Sequence, residues 1–123
     1  MADGHPNVLL IPAVDSHTHH CELALAGRVY ADVAAALEDA LQTARAAGVR
    51  TLLVDATRLE QIDALALRMF VDLLKHLRPR SGRLVFYGLS PLLVRTFALV
   101  GLDRVVEIVA TRDDALRVAE VRA

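Results

Sequence analysis

From residue 33 onward the chain alternates between helical hydrophobic spacing and short apolar runs, and this alternation restricts its fold more than any single motif. Val33, Leu37, Leu41 and Ala44 recur at the spacing that keeps one side of a helix apolar, with Glu38, Asp39, Gln42 and Arg45 facing away. Gly48 stands where a helix-ending residue belongs. Thr51 to Asp55 is a short apolar strand. Asp63 occupies an N-cap position, and Ala64 to Leu77 reads as a second helix. Arg83 to Tyr87 is another strand. Ser90-Pro91 opens a third helix, with Ser as cap and Pro at the first helical position. Gly101 ends it, and Leu102 folds back on its last turn. Val105 to Val109 is a fifth strand. Thr111, followed three residues later by Asp114, resembles a capping box for a terminal helix.

Ahead of this alternation lie two further strands. Val8 to Pro12 is a short apolar run, and Asp15-Ser16-His17-Thr18 supplies turn-type residues. From His19 to Leu25 the pattern has period two, with His19, Cys21, Leu23 and Leu25 on one face. The two runs form a hairpin. The expected order is β-β-α-β-α-β-α-β-α, an α/β fold with a mixed sheet of about four to five strands covered mainly by helices. The 123 residues make one domain, 1–123, with residues 1–7 loose.

Composition narrows the function. Hydrophobic residues make up 54% and charged ones 24%, enough for a full aliphatic core, while aromatics at 4% disfavour a deep aromatic pocket. The formal net charge is −1 with no basic stripe, which argues against nucleic acid as a partner. The Arg78-Pro79-Arg80 cluster reads as a solvated loop. One cysteine excludes an internal disulfide. No apolar run approaches the ~20 residues of a membrane helix, so no membrane insertion is expected. The N-terminal residues lack a basic secretory start, and the expected location is cytoplasmic.

His17 and His19, two apart on a strand, could share a metal ion, and Cys21 continues their face. The Val14 to His20 segment imitates the first-strand metal motif of amidohydrolases, but those barrels need ~250 residues. The only later histidine is His76, on an outward helix face. A polar hairpin turn is the expectation, with no metal site. No Gly-rich phosphate loop with Lys and no Gly-x-Ser-x-Gly elbow is present. The chain reads as a non-enzyme without cofactors.

Projection of the second helix puts Ala66, Leu67, Phe70, Leu73, Leu74 and Leu77 on one face, and Arg68, Asp72, Lys75 and His76 opposite. Leu65 falls on the polar face, one turn before Met69 at its edge. An exposed Leu beside an accessible Met is a small apolar spot that a protein partner can use. Single exposed leucines are also common and carry no meaning on their own. Asp63 reads equally as a cap or as a docking residue.

From Cys21 onward the chain resembles the STAS domain family, found in bacterial anti-sigma factor antagonists and in sulfate-transporter tails. The resemblance rests on Leu25 to Val29, Leu53 to Thr57 with Ile62-Asp63, Ser81 to Val85, and above all Leu89-Ser90-Pro91 through Gly101 to Ile108. It implies partner switching, in which an antagonist binds an anti-sigma kinase and is released by phosphorylation of a Ser in an Asp-Ser-Ser-Gly-Leu-Gly segment. Here that segment is Asp63-Ala64-Leu65-Ala66-Leu67-Arg68, so the acceptor position, Leu65, has no hydroxyl. The resemblance implies docking through Asp63, Ala64, Leu65, Arg68 and Met69 to an anti-sigma factor kinase-like protein, with no phosphorylation site. The alternative it implies is a structural subunit of a stress-sensor scaffold or of a lipid-transport ATPase complex. Homo-oligomer formation is compatible with either.

Overall fold

The computed structural model describes residues 6–11 and 20–121. The expected turn at Asp15 to Thr18, and with it His17 and His19, lies outside the described residues. The elements are β1 (Val8–Ile11), β2 (His20–Val29), α1 (Ala34–Ala46), β3 (Thr51–Ile62), α2 (Ala64–Leu77), β4 (Arg83–Tyr87), α3 (Pro91–Leu99), β5 (Glu107–Val109) and α4 (Arg112–Val121). Short 3-10 turns span Ala31–Val33, Arg78–Arg80 and Leu102–Arg104. The five strands form one α/β mixed sheet in chain order, β1 to β5. β1 and β2 are antiparallel, as a hairpin requires, and every later pair is parallel.

The helix positions follow from this order. Three successive crossovers step in one direction across the sheet, and crossovers of one hand then place their helices on one face. Leu37 and Leu41 of α1, Phe70 and Leu73 of α2, and Leu93 and Phe97 of α3 share one core with Leu23, Leu52 and Phe86 of the sheet. Among the described residues, α4 alone covers the other face, where Ala115 packs with Leu53, Val85 and Tyr87. Phe86 stands between two other rings at edge-to-face angles, with centroids 5.1 Å from Phe70 and 5.0 Å from Phe97.

Local signals set most element ends. Asp63 Oδ1 accepts the Ala66 N–H at 3.0 Å, and Ser90 Oγ accepts that of Leu93 at 3.2 Å. Gly101 adopts φ +77, which permits the turn that buries Leu102 behind α3. Half of the expected capping box forms: Thr111 Oγ1 accepts the Asp114 N–H, while the Asp114 carboxylate pairs with Arg117.

Three boundaries differ from the sequence reading. Gly27 does not precede a helix directly; it lies inside β2 at φ +68, where Asn7 Nδ2 donates to the Ala26 carbonyl at 2.6 Å. β5 begins at Glu107 rather than Val105, because the 3-10 turn over Leu102–Arg104 occupies the preceding backbone. β3 does not stop at Asp55 but runs on to Ile62. Only Thr51 to Asp55 pair with β4, so the rest of β3 and the end of β2 form a two-stranded arm. The arm contains two bulges on β3. Between Ala24↔Asp55 and Ala26↔Arg58, β2 advances two residues while β3 advances three; between Gly27↔Leu59 and Arg28↔Gln61, it advances one against two. Ala56, Leu59 and Ile62, every third residue, are therefore the buried ones.

Candidate docking site

The arm delivers the chain to the start of α2. The Asp63 N–H donates to the Val29 carbonyl at 3.1 Å, which fastens the arm's tip to the first residue ahead of the helix. Asp63 has extended backbone (φ −96, ψ 174) and its carboxylate caps the helix. One side of the first turns is committed to the core: Ala66 and Leu67 are buried. The other side faces outward. Ala64 and Arg68 are exposed, Leu65 is 45% exposed, and Met69 is partly buried against the core at the edge of this face. Among the described residues Arg68 forms no ion pair. The five residues picked from the sequence thus lie together on one short stretch of surface, Asp63 and Met69 only partly exposed.

Two further apolar side chains reach the surface at this end of the sheet. Tyr30 directly follows Val29, the residue that holds Asp63, and Leu92 on the first turn of α3 is 60% exposed. The sequence reading named neither. Projection of α3 could have found Leu92, since it falls off the stripe made by Leu93 and Phe97; nothing local to Tyr30 would have singled it out.

A second polar cluster sits on the α4 face of the sheet. Arg112 Nε and Nη2 each donate to the Glu22 carboxylate at 2.8 Å, and the Tyr87 hydroxyl donates to it at 3.2 Å. The hydrogen bond from Arg112 is the largest influence on Glu22 and holds its carboxyl below the usual range against the opposing effect of burial. Burial, then the Asp55 and Glu22 charges, push the Tyr87 phenol far up. Asp55 Oδ1 accepts both the amide (2.9 Å) and the hydroxyl (2.6 Å) of Thr57. These groups satisfy one another and so act as a fastening rather than as an acid–base pair poised for turnover.

Cys21 points into the core, and burial pushes its thiol up to about 11. It is a poor metal ligand in that state. Among the described residues no three His, Cys, Asp or Glu side chains converge as a metal site, and no helix is long and apolar enough to cross a membrane.

Comparison with known proteins agrees with this fold. The family model described as "Mlab, STAS domain" matches residues 13–109. The anti-sigma-B factor antagonist of Listeria monocytogenes is 34% identical over 91 residues, covering 74% of this chain and 80% of the relative. An anti-sigma factor antagonist from Mycobacterium paratuberculosis has the same fold, with a TM-score of 0.79 at 22% identity over 93% of both chains. The phosphorylated form of the Bacillus cell fate determinant SpoIIAA superposes with a TM-score of 0.69 at 21% identity, over 94% of this chain and 99% of that one. The helix order, the capped start of α2 and the family match over 13–109 lead to one conclusion: the chain belongs to the STAS domain family.

Proposed function

We propose that the protein is a non-catalytic regulator that acts as an anti-sigma factor antagonist, docking in the cytoplasm to a kinase-like anti-sigma factor through Asp63, Ala64, Leu65, Arg68 and Met69. The observation that carries this reading is the exposure of Leu65 on a capped helix start, beside Arg68, which forms no ion pair among the described residues. The Listeria relative, named as an anti-sigma-B factor antagonist, supports the choice of partner. No cofactor enters the reading.

Leu65 occupies the position of the phospho-acceptor serine in the family segment, so partner release here does not depend on phosphate at that residue. The test is reconstitution with the kinase-like anti-sigma factor encoded in the same genome. Leu65→Asp should weaken binding by at least ~tenfold, the effect of losing ~1.4 kcal/mol. With ATP present, the wild-type protein should gain no phosphate at residues 64–68, and Leu65→Ser should gain it. Binding unchanged by Leu65→Asp, or phosphate on the wild-type segment, rejects the reading.

The missing hydroxyl and the mean hydropathy of +0.39 favour a second reading, a permanent structural subunit of a stress-sensor scaffold or a lipid-transport ATPase complex. Such a subunit would be unstable when purified alone, whereas a switching antagonist folds by itself.

A further inference from the structure

The sequence has no basic stripe, yet the fold assembles a basic end from two separated segments. Alone, the Arg78-Pro79-Arg80 turn is an ordinary solvated charge cluster. The loop between α1 and β3 lies against it: the Arg83 N–H donates to the Arg50 carbonyl at 2.9 Å, and the Gly82 N–H to that of Leu77 at 2.9 Å. The approach is so close that a Cβ on Gly82 would collide with the Arg50 carbonyl oxygen. Arg50 thus stands beside the turn, with Arg45 on the last turn of α1 and Lys75 and His76 on the last turn of α2. Desolvation, then the charges of Arg80 and Arg45, hold the His76 imidazole below its usual range, so both guanidinium groups lie near that one side chain.

Little acid offsets this end. No Asp or Glu occurs from residue 40 to 54 or from 73 to 102. Glu107, at the start of β5, pairs with Arg83 at 3.3 Å. Arg45, Arg50, Lys75, Arg78 and Arg80 form no ion pair among the described residues. All are exposed except Arg45, which is partly buried, its Nε enclosed and without an acceptor among the described residues. A cation on the last turn of a helix complements the helix dipole, which accounts for Arg45 and Lys75. Arg50 and Arg80 lie past both helices and gain nothing there. Like charges gathered in this way repel one another, and an anionic partner relieves the repulsion.

Residue type and surroundings narrow the anion. Four of these five cations are arginines, whose planar forks match carboxylates with two parallel hydrogen bonds. The 3-10 turn with Pro79 holds two of them on fixed backbone. Glu38 and Asp39 on α1 and Asp72 on α2 are exposed further back along the two helices. A long nucleic acid duplex or a flat anionic membrane would meet those acids as well, whereas a short segment stays within about one Debye length, ~8 Å, of the cations. We propose that Arg45, Arg50, Lys75, Arg78 and Arg80 bind a short acidic segment of a protein partner. This surface lies at the far end of α2 from Leu65, ~20 Å away at the rise of a helix, and it does not rest on the docking proposed there.

A fluorescein-labelled oligoglutamate peptide is the probe, titrated with the full chain at ~0.15 M salt and followed by anisotropy and by amide NMR shifts. The dissociation constant should lie below ~1 mM, and the shifts should centre on residues 45–50 and 75–82 rather than 63–69. Arg78→Glu combined with Arg80→Glu should weaken binding at least ~tenfold, with an unchanged circular dichroism spectrum because both side chains are in solvent. Arg58→Glu, on the arm, should leave it unchanged. Vesicles of phosphatidylserine and phosphatidylcholine, and a short DNA duplex, should bind more weakly than the peptide. No binding up to ~1 mM, shifts centred on 63–69, binding that survives the double charge reversal, or tighter binding to vesicles or duplex overturns the proposal.

Discussion

Glu22 on β2 and Arg112 at the first turn of α4 lie 90 positions apart and meet in a two-pronged ion pair with both nitrogen–oxygen distances at 2.8 Å. Glu22 is nearly enclosed while Arg112 remains half in solvent. The pair fixes one end of α4. At the other end, Arg83 Nη1 donates to the Val118 carbonyl at 3.1 Å, and Arg83 Nε also pairs with Glu107. Between these two fastenings α4 buries only a small apolar cluster, so its attachment depends on polar contacts more than that of any other helix.

Glu22→Gln should therefore destabilise the fold by about 1 kcal/mol, a figure already reduced for the solvent exposure of Arg112. The folded-state pKa of Glu22 is depressed, so its contribution is complete above the unfolded-state value and disappears as pH falls through the folded-state value. Urea melts of the two proteins should differ at pH 7, and the gap should narrow as pH falls through and below the usual carboxylate range. A gap of equal size throughout would show that charge is not the source of the effect.

Cys21 should resist thiol reagents in the native state. Its thiol is buried and its pKa is pushed up to about 11, first by burial and then by the neighbouring Glu22 charge. Labelling with Ellman's reagent at pH 8 should be slow and limited by opening of the fold, and complete at once in denaturing urea. Rapid labelling without denaturant would place the thiol at the surface.

Asp63 can be separated into its two roles. Asp63→Ala removes the acceptor for the Ala66 N–H and should cost about 1 kcal/mol. Asp63→Asn keeps the cap and should melt within a few tenths of a kcal/mol of wild type. If the partner reads the charge, Asp63→Asn alone loses binding at unchanged stability, and calorimetric titration against that partner decides the matter.

Phe86 joins the packing of α2 to that of α3. Phe86→Leu loses both edge-to-face contacts, at about 1 kcal/mol each, and should lower stability by about 2 kcal/mol. Phe86→Ala adds a cavity and should cost about 3–5 kcal/mol. Equilibrium urea unfolding of the two variants measures the difference.

Much of this fold was legible because its signals are local. The Ser90-Pro91 start, the Asp63 cap and the Gly101 turn need only their own neighbours to form, and helical spacing identified the buried face of α2 residue by residue. The outward position of Leu65 followed from the same projection. The arm was not legible, because two bulges replace the period of two by a period of three and hide the second half of β3. Leu92 and Leu99 were missed for the opposite reason. An apolar helix reads as buried, and only the placement of α3 at the margin of the sheet shows how little of it is covered. The Glu22–Arg112 pair joins opposite ends of the chain, and no local pattern announces it.

The bulged arm also constrains how this chain can change. Its tip is pinned by Val29 against Ile62 and Asp63, while α2 immediately beyond must keep Phe70 and Leu73 directed inward. Each residue of a helix turns the chain by ~100°. Deleting Glu60 from the second bulge would pull the helix start back by one position and set strand pairing against the inward stripe of α2. The number of residues between Asp55 and Asp63 is thus an index setting, which decides the side chains that α2 presents outward even though several of the residues counted have side chains exposed to solvent.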